Sequence, residues 1–286
     1  MRGLRTLMAA GIVAASAGCA AVDGAPGGGV SSAPGALDVA QHALAEERYG
    51  AARHWFQKVL QADPDNETAR LGLAESYLGD GAGQNALALF QSLADSPAVG
   101  AEALQGKGII LLAGGEDAAA RAALNAAVAR DPTLWRAWNA LGLAHDGKQE
   151  WEAAAAAYAK AAAAAPTAAA PHNNWGMSLM SQKRYAEAAE RFARALALAP
   201  DAEATRNNLR LALAFQGRYA EAMAGVEEKN APALLNNIGY VAMLRGEKDR
   251  AKAYFLRSME LSPQFYEPAA RNLEILEGNK GGSAYY

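Results

Sequence analysis

Four histidines, one cysteine and three adjacent asparagine pairs are the residues of this 286-residue chain whose types could carry chemistry. His42, His54, His145 and His172 never fall at metal-ligand spacing, and no cysteine or carboxylate cluster assists them, so no metal is expected. His145 and His172 occupy apolar positions of a repeating pattern and read as packing residues. Cys19 stands alone, which excludes an intrachain disulfide and a multi-cysteine metal site. No nucleophile elbow, no P-loop and no G-x-G-x-x-G opening a helix after a strand is present. What remains is Asn173-Asn174, Asn207-Asn208 and Asn236-Asn237. A carboxamide offers both donor and acceptor, so a ladder of them could hydrogen-bond the backbone of an extended peptide. The plainer alternative is that each bonds a neighbouring helix or turn. The chemistry expected is therefore recognition, with no catalysis and no cofactor.

The elements that position these residues are clearest at Leu134–Pro166. Trp138, Leu141, Gly142 and His145 share one helical face, as do Ala154, Tyr158 and Ala161, and Pro166 closes the pattern. Two short amphipathic helices are thus predicted, joined by Asp146-Gly147-Lys148-Gln149-Glu150. A 34-residue unit with W…L-G…A…Y…A…P resembles the tetratricopeptide repeat, an all-α helix-turn-helix. The alanine opening each second-helix seam recurs at Ala52, Ala86, Ala120, Ala154, Ala188, Ala222 and Ala251. The bulky partner follows at Phe56, Phe90, Leu124, Tyr158, Phe192, Val226 and Phe255. Gly108, Gly142, Gly176 and Gly239 mark close approach in the first helices, and Pro64, Pro132, Pro166, Pro200 and Pro263 close repeats.

Seven repeats are expected over residues 36–277, stacking into a right-handed superhelix with a continuous core and a capping helix at Tyr266–Glu277. The alanine run at 153–170 keeps the register of the fourth second helix. Truncating Trp138 or Phe192, both read as core aromatics, is expected to cost about 3–5 kcal/mol. The sixth repeat is short: its second helix, from Tyr219, stops by Asn230, and Ala231-Pro232 opens the next. This reads either as a tolerated deletion or as a device that rotates the last repeat to present another surface.

In tetratricopeptide proteins the first helices line a concave groove. The resemblance places Arg136, Asn139, Asn173, Asn174 and Met177 there, then Asn207, Asn208 and Leu211, then Asn236, Asn237, Tyr240 and Met243. Lysine and arginine are not concentrated among them, so a clamp on a C-terminal carboxylate is not expected. The net charge of −3, with both signs interspersed, leaves no basic footprint for nucleic acid.

The first residues read as a targeting signal over residues 1–18, with Arg2 and Arg5 before the short apolar stretch Leu7–Ala17. Ser16-Ala17-Gly18-Cys19 resembles the lipobox of bacterial lipoproteins, in which the cysteine is lipidated, although leucine is usual where Ser16 stands. The alternative is ordinary cleavage after a small residue such as Ala20. Alanine at position 20 favours the outer membrane by resemblance to sorting rules. Residues 19–35, rich in Gly, Ala, Pro and Ser, are expected to be a flexible tether, and residues 278–286 a frayed tail. No apolar run is long enough to span a bilayer, so membrane attachment is expected through the lipid alone.

The order of the motifs resembles a narrower family. Leu134-Trp135-Arg136-Ala137-Trp138-Asn139-Ala140-Leu141-Gly142 is followed by Asn173-Asn174-Trp175-Gly176, then by Ala204-Thr205-Arg206-Asn207-Asn208-Leu209-Arg210 with Gln216-Gly217-Arg218-Tyr219. Leu234-Leu235-Asn236-Asn237-Ile238-Gly239-Tyr240, Ser262-Pro263-Gln264-Phe265 and Asn272-Leu273 complete it. Together they look like the TadD-like lipoproteins of tight-adherence (Tad/Flp) pilus assembly systems. That resemblance implies a pilotin-like adaptor at the outer membrane, facing the periplasm and assisting assembly or localisation of the pilus secretin. Its partners would be the secretin or other pilus assembly components. A general periplasmic scaffold recruiting cell-wall hydrolases or proteases is the competing expectation.

Overall fold

The computed structural model describes residues 33–262 and 266–278. The expected signal, Cys19, the tether up to residue 32, Pro263 and the tail beyond Gly278 lie outside them.

Fifteen α-helices and one short 3₁₀ turn make up the described residues, with no strand among them. They are α1 (Ala33–Ala45), α2 (Tyr49–Ala62), α3 (Glu67–Gly79), α4 (Gly83–Leu93), α5 (Gly100–Ala113), α6 (Asp117–Arg130), α7 (Trp135–Asp146) and α8 (Trp151–Ala164). There follow α9 (Ala170–Ser181), α10 (Tyr185–Leu198), α11 (Glu203–Phe215), α12 (Tyr219–Ala222), α13 (Ala231–Leu244), α14 (Lys248–Glu260) and α15 (Glu267–Leu276). Odd and even helices alternate as seven pairs, and α15 is the expected cap. The chain divides into two compact units, Met1–Pro166 and Thr167–Tyr286.

Each pair turns in the same way. Glu47, Gly81, Gly115, Gln149, Lys183, Gly217 and Gly246 all have positive φ, between 57° and 81°. They stand 34 residues apart until the last step of 29. The N–H after each reaches back to a first-helix carbonyl, from Arg48 to Ala43 at 2.8 Å through Glu247 to Ala242 at 2.9 Å. This is the six-to-one bond of a Schellman stop, which satisfies carbonyls that the helix end would leave orphaned.

The seam follows the predicted register. All seven recurring alanines are completely buried, as are Phe56, Leu124, Tyr158, Phe192 and Phe255. A β-carbon on Gly142 would lie 2.5 Å from the Tyr158 ring, so only glycine lets that helix so close. Tyr158 donates to Asp146 at 2.7 Å, which gives the buried hydroxyl and the buried carboxylate each a partner. Between pairs, Arg121 of α6 approaches Glu150 at 3.1 Å, and the same carboxylate holds His145 Nδ1 at 2.5 Å.

Three packing expectations are corrected. Trp138 is only half-buried: its indole N–H donates to the Pro132 carbonyl at 3.0 Å and Lys160 lies over its ring. Packed only partly against the cluster of Leu124 and Leu141, it should cost less to truncate than Phe192, which keeps the full core penalty. In the sixth pair, α12 is four residues long, and the chain leaves it through Gly225 at φ +67°. Val226 consequently stands outside any helix, half-buried against the core of the second unit. His145 and His172 are likewise only half-buried, and His172 Nδ1 is buried without a hydrogen-bond partner. Burial, then Arg191 and Arg194, lower the basicity of His172.

Candidate interaction site

In the first unit, the first helices α1, α3, α5 and α7 supply most of the lining of a cavity of about 270 Å³. Leu44 and Ala45 come from the end of α1, Glu75, Leu78 and Gly79 from α3, Glu102, Gln105 and Ile109 from α5, and Arg136 from α7. Glu47 enters from the first turn, where its φ is positive, and Tyr49 from the start of α2. Gln105 is buried, and its side-chain oxygen accepts the Ala137 N–H at 3.0 Å. That bond satisfies an early donor of α7 and fixes the helix start from which exposed Arg136 projects.

The electrostatics of this cavity are set by half-burial. Desolvation raises the Glu75 carboxyl above the usual carboxylate range; Arg136 opposes this and Glu102 adds to it. The Tyr49 phenol is also raised, by burial first and then by Glu47. Neither Glu75 nor Glu102 has a hydrogen bond or ion pair among the described residues.

Of the expected groove residues, the first unit therefore holds Arg136 on the cavity and Asn139 one turn further along α7. Reading the sequence passed over Glu75, Glu102 and Gln105. The register could have found two of them: Gln105 precedes Asn139, and Glu102 precedes Arg136, by 34 residues each. Glu75 stands in register with Ile109, Leu143 and Met177, so its carboxylate had no polar counterpart to mark it.

The second unit carries the asparagine pairs. The Asn173 oxygen accepts from the Thr205 hydroxyl at 3.1 Å and from the Asn208 amide at 3.3 Å, tying α9 to α11. The Asn236 oxygen accepts from the Asn272 amide at 2.9 Å, tying α13 to α15; both side chains are buried. Within the pairs, Asn173 donates to Asn174 at 3.3 Å and Asn236 to Asn237 at 3.4 Å. Asn174 is buried as well, whereas Asn207 is exposed and accepts from Arg210 at 3.4 Å. The amides thus join successive first helices, and Asn173, Asn207, Asn208 and Asn237 are the members that reach the surface. Met177 and Leu211 are half-buried against the core clusters, as are Tyr240 and Met243.

Among the described residues, no group of three histidine, cysteine or carboxylate side chains could hold a metal, and no helix is long and apolar enough to cross a membrane.

Family models described as tetratricopeptide repeat match residues 43–93, 86–134 with 106–169, 169–202 and 232–265. No curated protein matches the chain in sequence. Among solved structures, a thermophilic tetratricopeptide protein of Thermus thermophilus is similar, with 21% identity and TM-score 0.55. That match covers 67% of this chain and 99% of that one. The C-terminal part of a tetratricopeptide protein from Cytophaga hutchinsonii matches at 19% identity and TM-score 0.55, over 82% of this chain and 98% of that one. A chain of the APC/C hetero-tetramer Cut9-Hcn1 matches at 20% identity and TM-score 0.56, over 85% of this chain and 49% of that one. At these identities the likeness is one of fold.

Proposed function

The chain belongs to the tetratricopeptide-repeat family, and from that premise we propose that it is a non-enzymatic, lipid-anchored adaptor of the outer membrane that assists assembly or localisation of a Tad/Flp-type pilus secretin. Repeats of this family are protein-interaction scaffolds: stacked pairs present one face of first helices as an extended binding surface. The adaptor reading uses the surfaces described above, the cavity of the first unit and the outward asparagines of the second.

The observation that carries the pilus reading is the order of motifs from Trp138-Asn139 through the three asparagine pairs to Asn272-Leu273, behind the single lipobox-like cysteine. Any one motif is common among tetratricopeptide repeats; the series, with its shortened sixth member, is what resembles the pilus lipoproteins. Two acyl chains or more would supply the anchor, since a single chain binds a membrane only marginally.

Deletion of the gene in its own host tests this directly. Pilin should still be made while secretin multimers, resolved on gels of unheated outer membranes, fall sharply and return on complementation. Normal multimers at the outer membrane in the deletion strain would sink the pilus role. Unaffected pili, with a cell-wall hydrolase or protease recovered on the tagged protein, would point to the envelope scaffold instead.

A further inference from the structure

The cavity of the first unit has a charge pattern that the adaptor reading leaves unused. Glu47, Glu75 and Glu102 border it against one guanidinium, that of Arg136. Glu75 and Glu102 are half-buried and make no hydrogen bond or ion pair among the described residues. Partly desolvated carboxylates without a hydrogen bond are unfavourable, and a cation brought beside them would relieve that cost. The rest of the lining is mixed: Gln105 is polar, while Leu44, Leu78, Ile109 and the Tyr49 and Phe90 rings add apolar surface. Apolar side chains set beside carboxylates suit an alkyl stem that ends in a positive charge.

We propose that this cavity receives the cationic side chain, arginine or lysine, of a partner peptide lying along the first helices of the first unit. The inference rests on the adaptor reading and adds a chemical class to it. A peptide is the occupant because the lining comes from the first helices of four consecutive pairs, the face along which an extended segment would run. A free inorganic cation would leave Leu44, Leu78 and Ile109 uncovered. Arg136 does not neutralise the site: it is one guanidinium against the three carboxylates of Glu47, Glu75 and Glu102. The cavity therefore favours positive side chains and disfavours the C-terminal carboxylate that a basic clamp would take.

The test uses an array of twelve-residue peptides, blocked at both ends, in which arginine or lysine alternates with glutamine or glutamate at matched positions. Binding of the full chain is compared with that of Glu75→Gln/Glu102→Gln. The control Glu152→Gln/Glu190→Gln removes the same charge from two exposed second-helix positions. The wild type and the control should retain arginine or lysine peptides at least about tenfold above their glutamine partners, the scale of losing one buried charge partner. The cavity variant should lose that preference while its thermal unfolding stays cooperative. Equal binding of cationic and neutral peptides would overturn the inference and leave the adaptor reading intact. A preference that persists in the cavity variant would likewise place the cation elsewhere. Spermidine displacing nothing from the wild type supports a peptide occupant; spermidine binding that depends on Glu75 and Glu102, with no peptide retained, overturns it. Absence of any peptide binding would count against both readings.

Discussion

Glu75 is the residue whose charge state says most about the surface around it. Burial raises its carboxyl, Glu102 raises it further and Arg136 pulls it back, so the folded protein holds this proton more tightly than the unfolded chain does. The sign follows from linkage: folding is favoured most below the ordinary carboxylate pKa of about 4.3 and loses that contribution as pH rises through the raised value. Glu75→Gln keeps the shape and removes the ionisation. The variant should therefore be more stable than the wild type near neutral pH, and the difference should close as pH falls towards 4. Urea transitions followed by circular dichroism across that range check it. A gap that stays constant with pH would mean that Arg136 cancels desolvation, and the reverse sign at neutral pH that it outweighs it. Such a site keeps a costly carboxylate where glutamine would be easier to bury, which fits recognition better than structure.

At the level of elements, the helix pair is held by one turn geometry repeated seven times. Four of its left-handed positions are glycine, but Glu47, Gln149 and Lys183 adopt the same conformation with a side chain. An L-residue there costs roughly 1–2 kcal/mol relative to glycine, whose extra unfolded-state entropy returns part of the gain. Lys183→Gly should accordingly stabilise the fifth pair by about 0.5–1 kcal/mol, and Gly217→Ala should destabilise the sixth by about 1–2 kcal/mol. Chemical denaturation of the two single variants checks the pair of signs; both moving the same way would refute the shared turn. These turns also show what a sequence discloses. The alanine and phenylalanine seam was legible because core packing tolerates few residue types at a point of close approach. The turn register escaped notice because three of its seven positions are polar, and glycine is the pattern's main visible mark. Gln105 was missed for a related reason: its amide does in α5 what Asn173 does in α9, with a different residue.

For the whole molecule, what can be read from sequence divides along the same physical line. The number of pairs and their register follow from periodic apolar residues, and Ala52 through Ala251 are buried as that periodicity requires. The division after Pro166 was not foreseen, because Ala153–Ala170 keeps the repeat spacing across the boundary. The surface was legible only in part: an asparagine can serve the interior or the solvent with equal chemistry, and Asn236 and Asn174 turn out to be buried. Stability in repeat proteins comes from neighbour contacts, so attachment and folding should be separable properties of this chain. Cys19 precedes the first described helix, which begins at Ala33, and the core of the first pair is built from Ala36 onward. Cys19→Ser should therefore abolish incorporation of a fatty-acid analogue and shift the protein from the membrane to the soluble envelope fraction. The urea midpoint of the purified variant should match the wild type within about 0.5 kcal/mol, the usual effect of a substitution outside the core. Equal labelling of the two proteins would refute lipidation at Cys19. If label and membrane are lost but secretin multimers persist, the anchor is dispensable and the repeats alone carry the adaptor role. If multimers fall with the label, while peptide binding by the purified variant is unchanged, the role requires the repeats to be held at the membrane.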